Sequence, residues 1–390
     1  MESKYSIFFS YAFRPLFLLA GLFGTISVIW WVFIYLWWMA LPPIAMEPIA
    51  WHGHEMLFGF LVPAIGGFLL TAVGSWTSRP PLTGFPLLLL SCSWLIGRLA
   101  VTCSLYLNWY LITLSDLSFL AILIYLFGKE VFASNDQRNY KVVGFLILLL
   151  ILNLSFHLEY PQKFPIPQRY SVRGAIMVVL LIAATIGGRI IPNFTRNWLI
   201  KNKPENSTMP VPFNPFDRIV MGSTAIFALI WLYDTHLKTT GIISIVLGFL
   251  HLIRLFRWQG LKTWKDPFIS VLHVGYAWIA LSFILLGISS LTINLVFGSG
   301  IHGFTIGGFS LLIVAVGSRA ALGHTGRELK IGNTMKLAYL FIILAAVFRV
   351  LATNIIGYRE MIIISAICWV SGLTHFLFCY WPVLTKPSLK

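Results

Sequence analysis

Long apolar segments recur along the whole 390-residue chain, and they limit how it folds more than any other feature. Each is long enough, at about 17–25 residues, to cross a hydrocarbon core of about 30 Å as an α-helix. A helix satisfies its backbone hydrogen bonds within the segment, as lipid requires. Only 11% of the residues are charged, against about 25% in soluble domains. The sequence therefore predicts an all-α, polytopic transmembrane helix bundle with no soluble domain.

About twelve spans are predicted, all within a single membrane domain that comprises residues 1–390. The connections between them are short, and no change of composition separates a second domain. The predicted spans are 16–40, 56–74, 85–103, 107–127, 142–158, 174–191, 219–233, 241–256, 269–288, 296–317, 335–352 and 361–384.

The basic charge of the chain follows the expected topology of its loops. With a cytoplasmic N-terminus, 18 Lys and Arg residues fall in inner segments and 5 in outer loops, as the positive-inside rule requires. The five outer residues are Lys163, Arg169, Arg173, Lys238 and Arg359. Topology thus accounts for the net charge of +15, and no nucleic-acid partner is indicated. We predict a multi-pass protein in a lipid bilayer, with both termini in the cytoplasm.

The densest polar segment is Trp51-His52-Gly53-His54-Glu55, at the predicted outer start of the second span. Imidazole is the commonest protein ligand of haem, copper and zinc. On a regular helix, His52 and His54 point about 200° apart. They therefore serve two sites, or share one if Gly53 lets the backbone leave helical geometry. Glu55 is placed to accept a hydrogen bond from an imidazole and fix its tautomer. A polar helix cap without a metal is the alternative.

Three of the seven further histidines are candidate ligands. His302 lies among glycines, which favour close helix packing or leave space for a flat macrocycle. His324 lies between Arg319 and Arg327 in a glycine-flanked loop, which is either a polar turn or a clamp for cofactor propionates. His273, near the start of the ninth span, is either a ligand or a hydrogen-bonded core residue.

One carboxylate, Asp116, lies deep in the fourth predicted span. A carboxylate at that depth needs a partner, and Arg98 on the third span is the nearest candidate. A structural ion pair is the interpretation we favour, and a proton relay or substrate gate is the alternative.

Seven short segments, taken together and in this order, resemble the NnrS family of bacterial membrane proteins. They are YAFRPLF from Tyr11, WHGHEMLFGF from Trp51, GGFLLTAV from Gly66, GRIIPNFTRN from Gly188, HVGYAW from His273, HGFTIG from His302 and GHTGR from Gly323.

The resemblance implies bound haem and copper, and a role in nitric oxide handling and resistance to nitrosative stress at the bacterial cytoplasmic (inner) membrane. The candidate metal ligands carried over by motif are His52, His54, His302, His273 and His324. The candidate cofactor-binding residues are Glu55, Arg319 and Arg327. Depth along the spans assigns His52, His54 and His302 to an outer site. His273 and His324 are assigned to an inner one. Which histidine binds which metal stays open.

Nitric oxide is the small-molecule ligand that the resemblance implies, and enzymatic activity is an open question. The sequence lacks the adjacent His-His pair expected of a haem–copper oxidase-like binuclear centre. A secondary transporter for a metal or a haem-related compound is the alternative function. Twelve spans with cytoplasmic termini suit many transporters, although we find no convincing internal repeat in the sequence.

Overall fold

Twelve helices in the described part of the chain are long and apolar enough to cross a membrane. The structure is a computed structural model, and it describes residues 4–36, 43–159, 169–202, 208–235, 237–292, 298–352 and 357–389. The twelve helices are α1 (Phe13–Tyr35), α2 (Pro48–Thr77), α3 (Phe85–Thr102), α4 (Trp109–Ala133), α5 (Gln137–Glu159), α6 (Arg169–Asn202), α7 (Pro215–Tyr233), α8 (Lys238–Phe256), α9 (Pro267–Leu291), α10 (Gly298–His324), α11 (Asn333–Leu351) and α12 (Tyr358–Thr385).

These helices confirm the all-α fold and the twelve predicted spans, and the described residues contain no β-strand. Several helices extend beyond the predicted bounds. The second begins at Pro48 rather than at residue 56, because the polar residues before the apolar segment are also helical. Residues 37–40 and 296–297 of the predicted spans, and Lys163 of the outer loops, lie outside the described residues.

Side-chain caps define where several of the helices begin. The Glu47 carboxylate accepts a hydrogen bond from the backbone N–H of Ala50, the third residue of α2, and Asn108 caps α4 by accepting from the N–H of Tyr110. Asn214 and Asp217 form a reciprocal capping box at the start of α7. Asp266 caps α9, whose first residue is a proline. Each cap satisfies backbone N–H groups that have no partner inside the helix.

The described residues form two compact units. Unit 1 contains Met1–Val178, Gly317–Lys330 and Leu373–Lys390, and unit 2 contains Val179–Val316 and Ile331–Gly372. Within unit 1, α4 packs against α3 and α5, and α1 packs against α2. Within unit 2, α9 packs closely against α8 and α10. The assignment of the chain to one membrane domain stays a prediction.

Two of the helices change to π-helical geometry immediately after a histidine. In α2 the π segment is Glu55–Leu61, which follows His54. In α10 it is Gly303–Ser310, which follows His302. Such insertions change the direction in which neighbouring side chains point, and they are frequent at functional sites.

Candidate metal centre

A buried polar cluster joins four helices of unit 1. Its members lie towards the starts of α2 and α4 and the ends of α3 and α5. Consecutive spanning helices run in opposite directions, so these four ends lie on the same side of the membrane. The members of this unit 1 cluster are His54 and Glu55 on α2, Arg98 on α3, Asp116 on α4, and Asn153 and His157 on α5.

His54 is fully buried, with 0% of its surface exposed, and both of its ring nitrogens contact oxygen atoms. Nδ1 lies 2.8 Å from Glu55 Oε1. Nε2 lies 3.1 Å from Asp116 Oδ2 and 2.9 Å from Asn153 Oδ1. The ring also stacks on Phe156, with 4.4 Å between the ring centroids. The side chain is therefore held in one orientation by polar contacts and by packing.

Asp116 is the centre of the unit 1 cluster. Its Oδ2 atom lies 2.8 Å from His157 Nε2 and accepts a hydrogen bond of 2.8 Å from Asn153 Nδ2. Arg98 forms ion pairs with both Asp116 and Glu55, which confirms the predicted Arg98–Asp116 pair. Two carboxylates face one guanidinium, so charge balance needs one further positive charge. A proton on an imidazole or a metal ion supplies it.

Three members of the unit 1 cluster present ligand atoms to one another. One atom each from His54, Asp116 and His157 lies within 4.8 Å of the other two. Two imidazole nitrogens and a carboxylate oxygen form a donor set that suits transition metals. The arrangement is therefore chemically able to hold a metal ion.

His52 is directed away from these ligand atoms. Its ring stacks on Trp31, with centroids 4.4 Å apart and planes 13° apart. The two histidines at positions 52 and 54 thus have different surroundings, as their spacing on a helix requires. Only His54 belongs to the unit 1 cluster.

His302 and His273 both lie in unit 2. His302 Nδ1 lies 2.8 Å from the Gly298 carbonyl oxygen, so this nitrogen carries the hydrogen and donates it. His273 Nε2 lies 2.9 Å from Thr195 Oγ1. The Thr195 hydroxyl donates to a backbone carbonyl of its own helix, so His273 donates through Nε2. Its Nδ1 edge packs against Gly260, where any side chain would collide with the ring.

The glycines after His302 serve helix packing. A Cβ atom at Gly303 would lie 2.5 Å from Ser282 Oγ, and one at Gly307 would collide with the Trp278 ring. Both neighbours belong to α9, which packs against this part of α10. These contacts support the packing interpretation of the two glycines.

The loop after α10 contacts the C-terminal tail of unit 1. His324 lies beside Tyr11, with 5.6 Å between the ring centroids. Arg327 donates a hydrogen bond of 3.1 Å to the Pro387 carbonyl. Arg319 lies on α10, one turn before His324. The cofactor-binding roles of both arginines stay predictions.

The sequence interpretation missed two members of the unit 1 cluster, His157 and Asn153. Their signal was the topology, because the ends of α2 to α5 that meet here carry polar residues at similar depth. Nothing in the local sequence links His157 to Asp116. That link exists because α5 packs against α4.

The fold and this cluster define a multi-pass α-helical membrane protein with a buried histidine–carboxylate centre. A family model described as NnrS protein matches residues 7–388. The chain therefore belongs to the NnrS family, as its sequence motifs indicated. A search of curated proteins found no match.

Proposed function

We propose that this protein binds haem and copper through its histidines and handles nitric oxide, which gives resistance to nitrosative stress. One observation carries the proposal. His54, inside a membrane span, is fully buried and surrounded by carboxylate and amide groups. Polar groups inside a membrane are costly and are usually retained for function. Membership of the NnrS family supports the same conclusion.

The residues of the chain fit copper and haem to different degrees. The unit 1 cluster offers imidazole and carboxylate donors, which suit copper and iron. For haem, His302 is a candidate by its motif, and its Nδ1–H donates to the Gly298 carbonyl, a contact that fixes the tautomer of the ring. His52, His273 and His324 remain further candidates, with Arg319 and Arg327 as partners for propionates. Ferrous haem or cuprous copper, when bound, supplies the centre that takes up nitric oxide.

The contribution of the protein is to place the imidazoles and keep water away from them. His54 is enclosed by Phe58 and Phe156, whose ring centroids lie 5.0 and 4.4 Å from its own. A dry environment of this kind controls the redox potential of a bound metal. Nitric oxide is small and neutral, so it reaches such a site through lipid or through narrow gaps.

The proposal is tested on the full-length protein, purified in detergent from haem-replete cells. We expect a Soret band in the absorption spectrum and copper by elemental analysis. An electrode should then record faster loss of nitric oxide with the protein than without it. Comparing samples with and without a reductant separates turnover from binding. A colourless, metal-free protein that leaves nitric oxide untouched contradicts the proposal and favours the transporter.

The haem assignment is tested by His302→Gln, with His251→Gln as the matched control. His251 is also fully buried in unit 2, but both of its ring nitrogens are within 3.0 Å of hydroxyl groups, those of Thr224 and Tyr276. We expect His302→Gln to lose or shift the Soret band and the control to keep it. Equal spectra in the two folded variants contradict the assignment to His302.

A further inference from the structure

We infer that His54, His157 and Asp116 are the ligands of one first-row transition-metal ion, and that Glu55 orients His54 for this role. The inference rests on the proposed function, because it specifies which residues hold the metal. It replaces an outer site of His52, His54 and His302 with one built inside unit 1.

The spacing of the ligand atoms suits a metal ion. His54 Nε2 and His157 Nε2 lie 3.1 and 2.8 Å from the same atom, Asp116 Oδ2. With bonds of about 2.1 Å, adjacent ligands of an octahedral ion are separated by ~3.0 Å. The side chains therefore need only small movements to bind an ion between them.

Two arrangements of hydrogens are compatible with these contacts. Without a metal, His54 is an imidazolium, whose Nδ1–H faces Glu55 and whose Nε2–H donates to Asn153 Oδ1 at 2.9 Å. His157 and Asn153 are then the donors at Asp116 Oδ2, which has about two lone-pair sites. With a metal, the ion replaces the hydrogens on both Nε2 atoms and supplies the positive charge of the imidazolium. Retention of a metal ion distinguishes the two arrangements.

The groups around the ligands are those that a metal site needs. Glu55 accepts the hydrogen of His54 Nδ1 at 2.8 Å, an arrangement that fixes the tautomer of a metal-binding histidine. Arg98 pairs with Glu55 and Asp116 and holds both carboxylates in place. The charge of the ion also supplies the positive charge that Arg98 alone does not provide.

The same cluster lies in apolar surroundings. Phe156 stacks on His54, and Trp109 lies 5.4 Å from His157 between ring centroids. His54 and His157 are both 0% exposed. Ligands with this little access to water bind an ion that exchanges slowly, so the metal should stay bound through purification.

The first experiment uses the wild-type protein in detergent after treatment with a chelator. Ferrous iron, copper and zinc are added in separate anaerobic samples, and unbound metal is removed by desalting. We expect one ion per chain to be retained at this site, and a higher thermal midpoint than in the stripped protein. The metal with the largest shift identifies the preferred ion. If none of the three is retained, the inference is wrong.

The second experiment assigns the ligands. We expect His157→Gln and Asp116→Asn to reduce retained metal at least tenfold. Glu55→Gln should weaken binding by about 10–100-fold, the usual effect of losing such a partner. His251→Gln is the matched control, because it changes a fully buried histidine of unit 2 whose two ring nitrogens contact the hydroxyl groups of Thr224 and Tyr276. Folded ligand variants that hold as much metal as this control overturn the inference.

A spectroscopic measurement decides the question if the variants fail to fold. The wild-type protein loaded with cupric ion should show nitrogen hyperfine coupling from two imidazoles in its electron paramagnetic resonance spectrum. A copper spectrum without nitrogen coupling overturns the inference.

Failure of this inference is distinguishable from failure of the proposed function. Metal bound by these ligands without loss of nitric oxide overturns the nitric oxide role alone. If the protein consumes nitric oxide but Asp116→Asn retains as much metal as the wild type, the ligand assignment alone is wrong.

Discussion

At the scale of single residues, Arg14 shows how one of the seven family-like sequence segments is used. Its side chain is 0% exposed. The guanidinium donates hydrogen bonds to the carbonyls of Val383, Leu384 and Lys386, at 3.2, 3.0 and 2.8 Å, and to the Ser388 hydroxyl. The last carbonyls of a helix have no partner inside it. Arg14 therefore caps the last carbonyls of α12 and binds the C-terminal tail of unit 1.

Replacing Arg14 by Met should lower the stability of the protein by about 2–4 kcal/mol, because several buried carbonyls lose a charged donor. The thermal midpoint in detergent measures the loss, and carboxypeptidase should remove the tail faster. Lys129→Met is the control, since Lys129 is exposed at the end of α4. A midpoint equal to that of the control would show that Arg14 does not hold the tail.

Single residues also show the limits of the sequence as a guide to the site. The Arg98–Asp116 pair was predictable, because few charged residues lie within spans and these two lie on neighbouring helices. The contact of Asp116 with His157 was not, because it depends on which face of α5 meets α4. The direction of the His52 ring was likewise decided by packing against Trp31.

At the scale of helices, α2 and α10 share a backbone feature that their sequences do not indicate. Each contains a π segment that begins directly after a histidine. Beyond the π segment each helix returns to α-helical geometry, as far as Thr77 in α2 and His324 in α10. The sequence shows no convincing repeat, and the likeness lies in the backbone geometry. Each unit thus contains a helix whose histidine directly precedes a π segment.

Within the π segment of α2, the Gly59 carbonyl is affected by both Pro63 and Trp94. Pro63 has no N–H to donate to the Gly59 carbonyl one turn earlier. The Trp94 indole donates to that carbonyl instead, at 3.1 Å. Trp94→Phe should therefore cost about 1–3 kcal/mol, since a buried carbonyl loses its partner.

A double-mutant cycle tests this explanation. In a variant that already carries Trp94→Phe, Pro63→Ala restores a backbone N–H at residue 63. This N–H can donate a hydrogen bond to the Gly59 carbonyl. The double variant should then be more stable than Trp94→Phe alone, as judged by unfolding midpoints in detergent. Strictly additive losses would show that the indole and the proline act independently.

The packing of α8 against α9 gives a second prediction about helices. A Cβ atom at Gly287 would collide with the Gly241 carbonyl oxygen, which belongs to the backbone and cannot move aside. Gly287→Ala should cost about 1–3 kcal/mol through overpacking. At Gly144, an exposed helical position in α5, an added Cβ meets nothing within 4 Å. Gly144→Ala should therefore be neutral or slightly stabilising, and equal losses at the two sites would contradict the packing argument.

At the scale of the whole molecule, the length and number of the apolar segments predicted the fold well. Twelve apolar segments became twelve helices, because lipid leaves helices as the only open-ended way to span. Helix bounds were less accurate, because polar residues continue a helix beyond its apolar segment. At α2 this was decisive, since the added turns carry His52 and His54.

The orientation of the twelve spans is the last prediction. The distribution of Lys and Arg, 18 in inner segments and 5 in outer loops, predicts cytoplasmic termini. A green fluorescent protein fused to the C-terminus should then fluoresce, and alkaline phosphatase fused there should be inactive. Phosphatase inserted in the loop 103–108, between α3 and α4, should be active. The reverse pattern would place the unit 1 cluster near the cytoplasmic face. With the predicted pattern, the cluster lies near the outer face, where nitric oxide arriving from outside the cell meets it first.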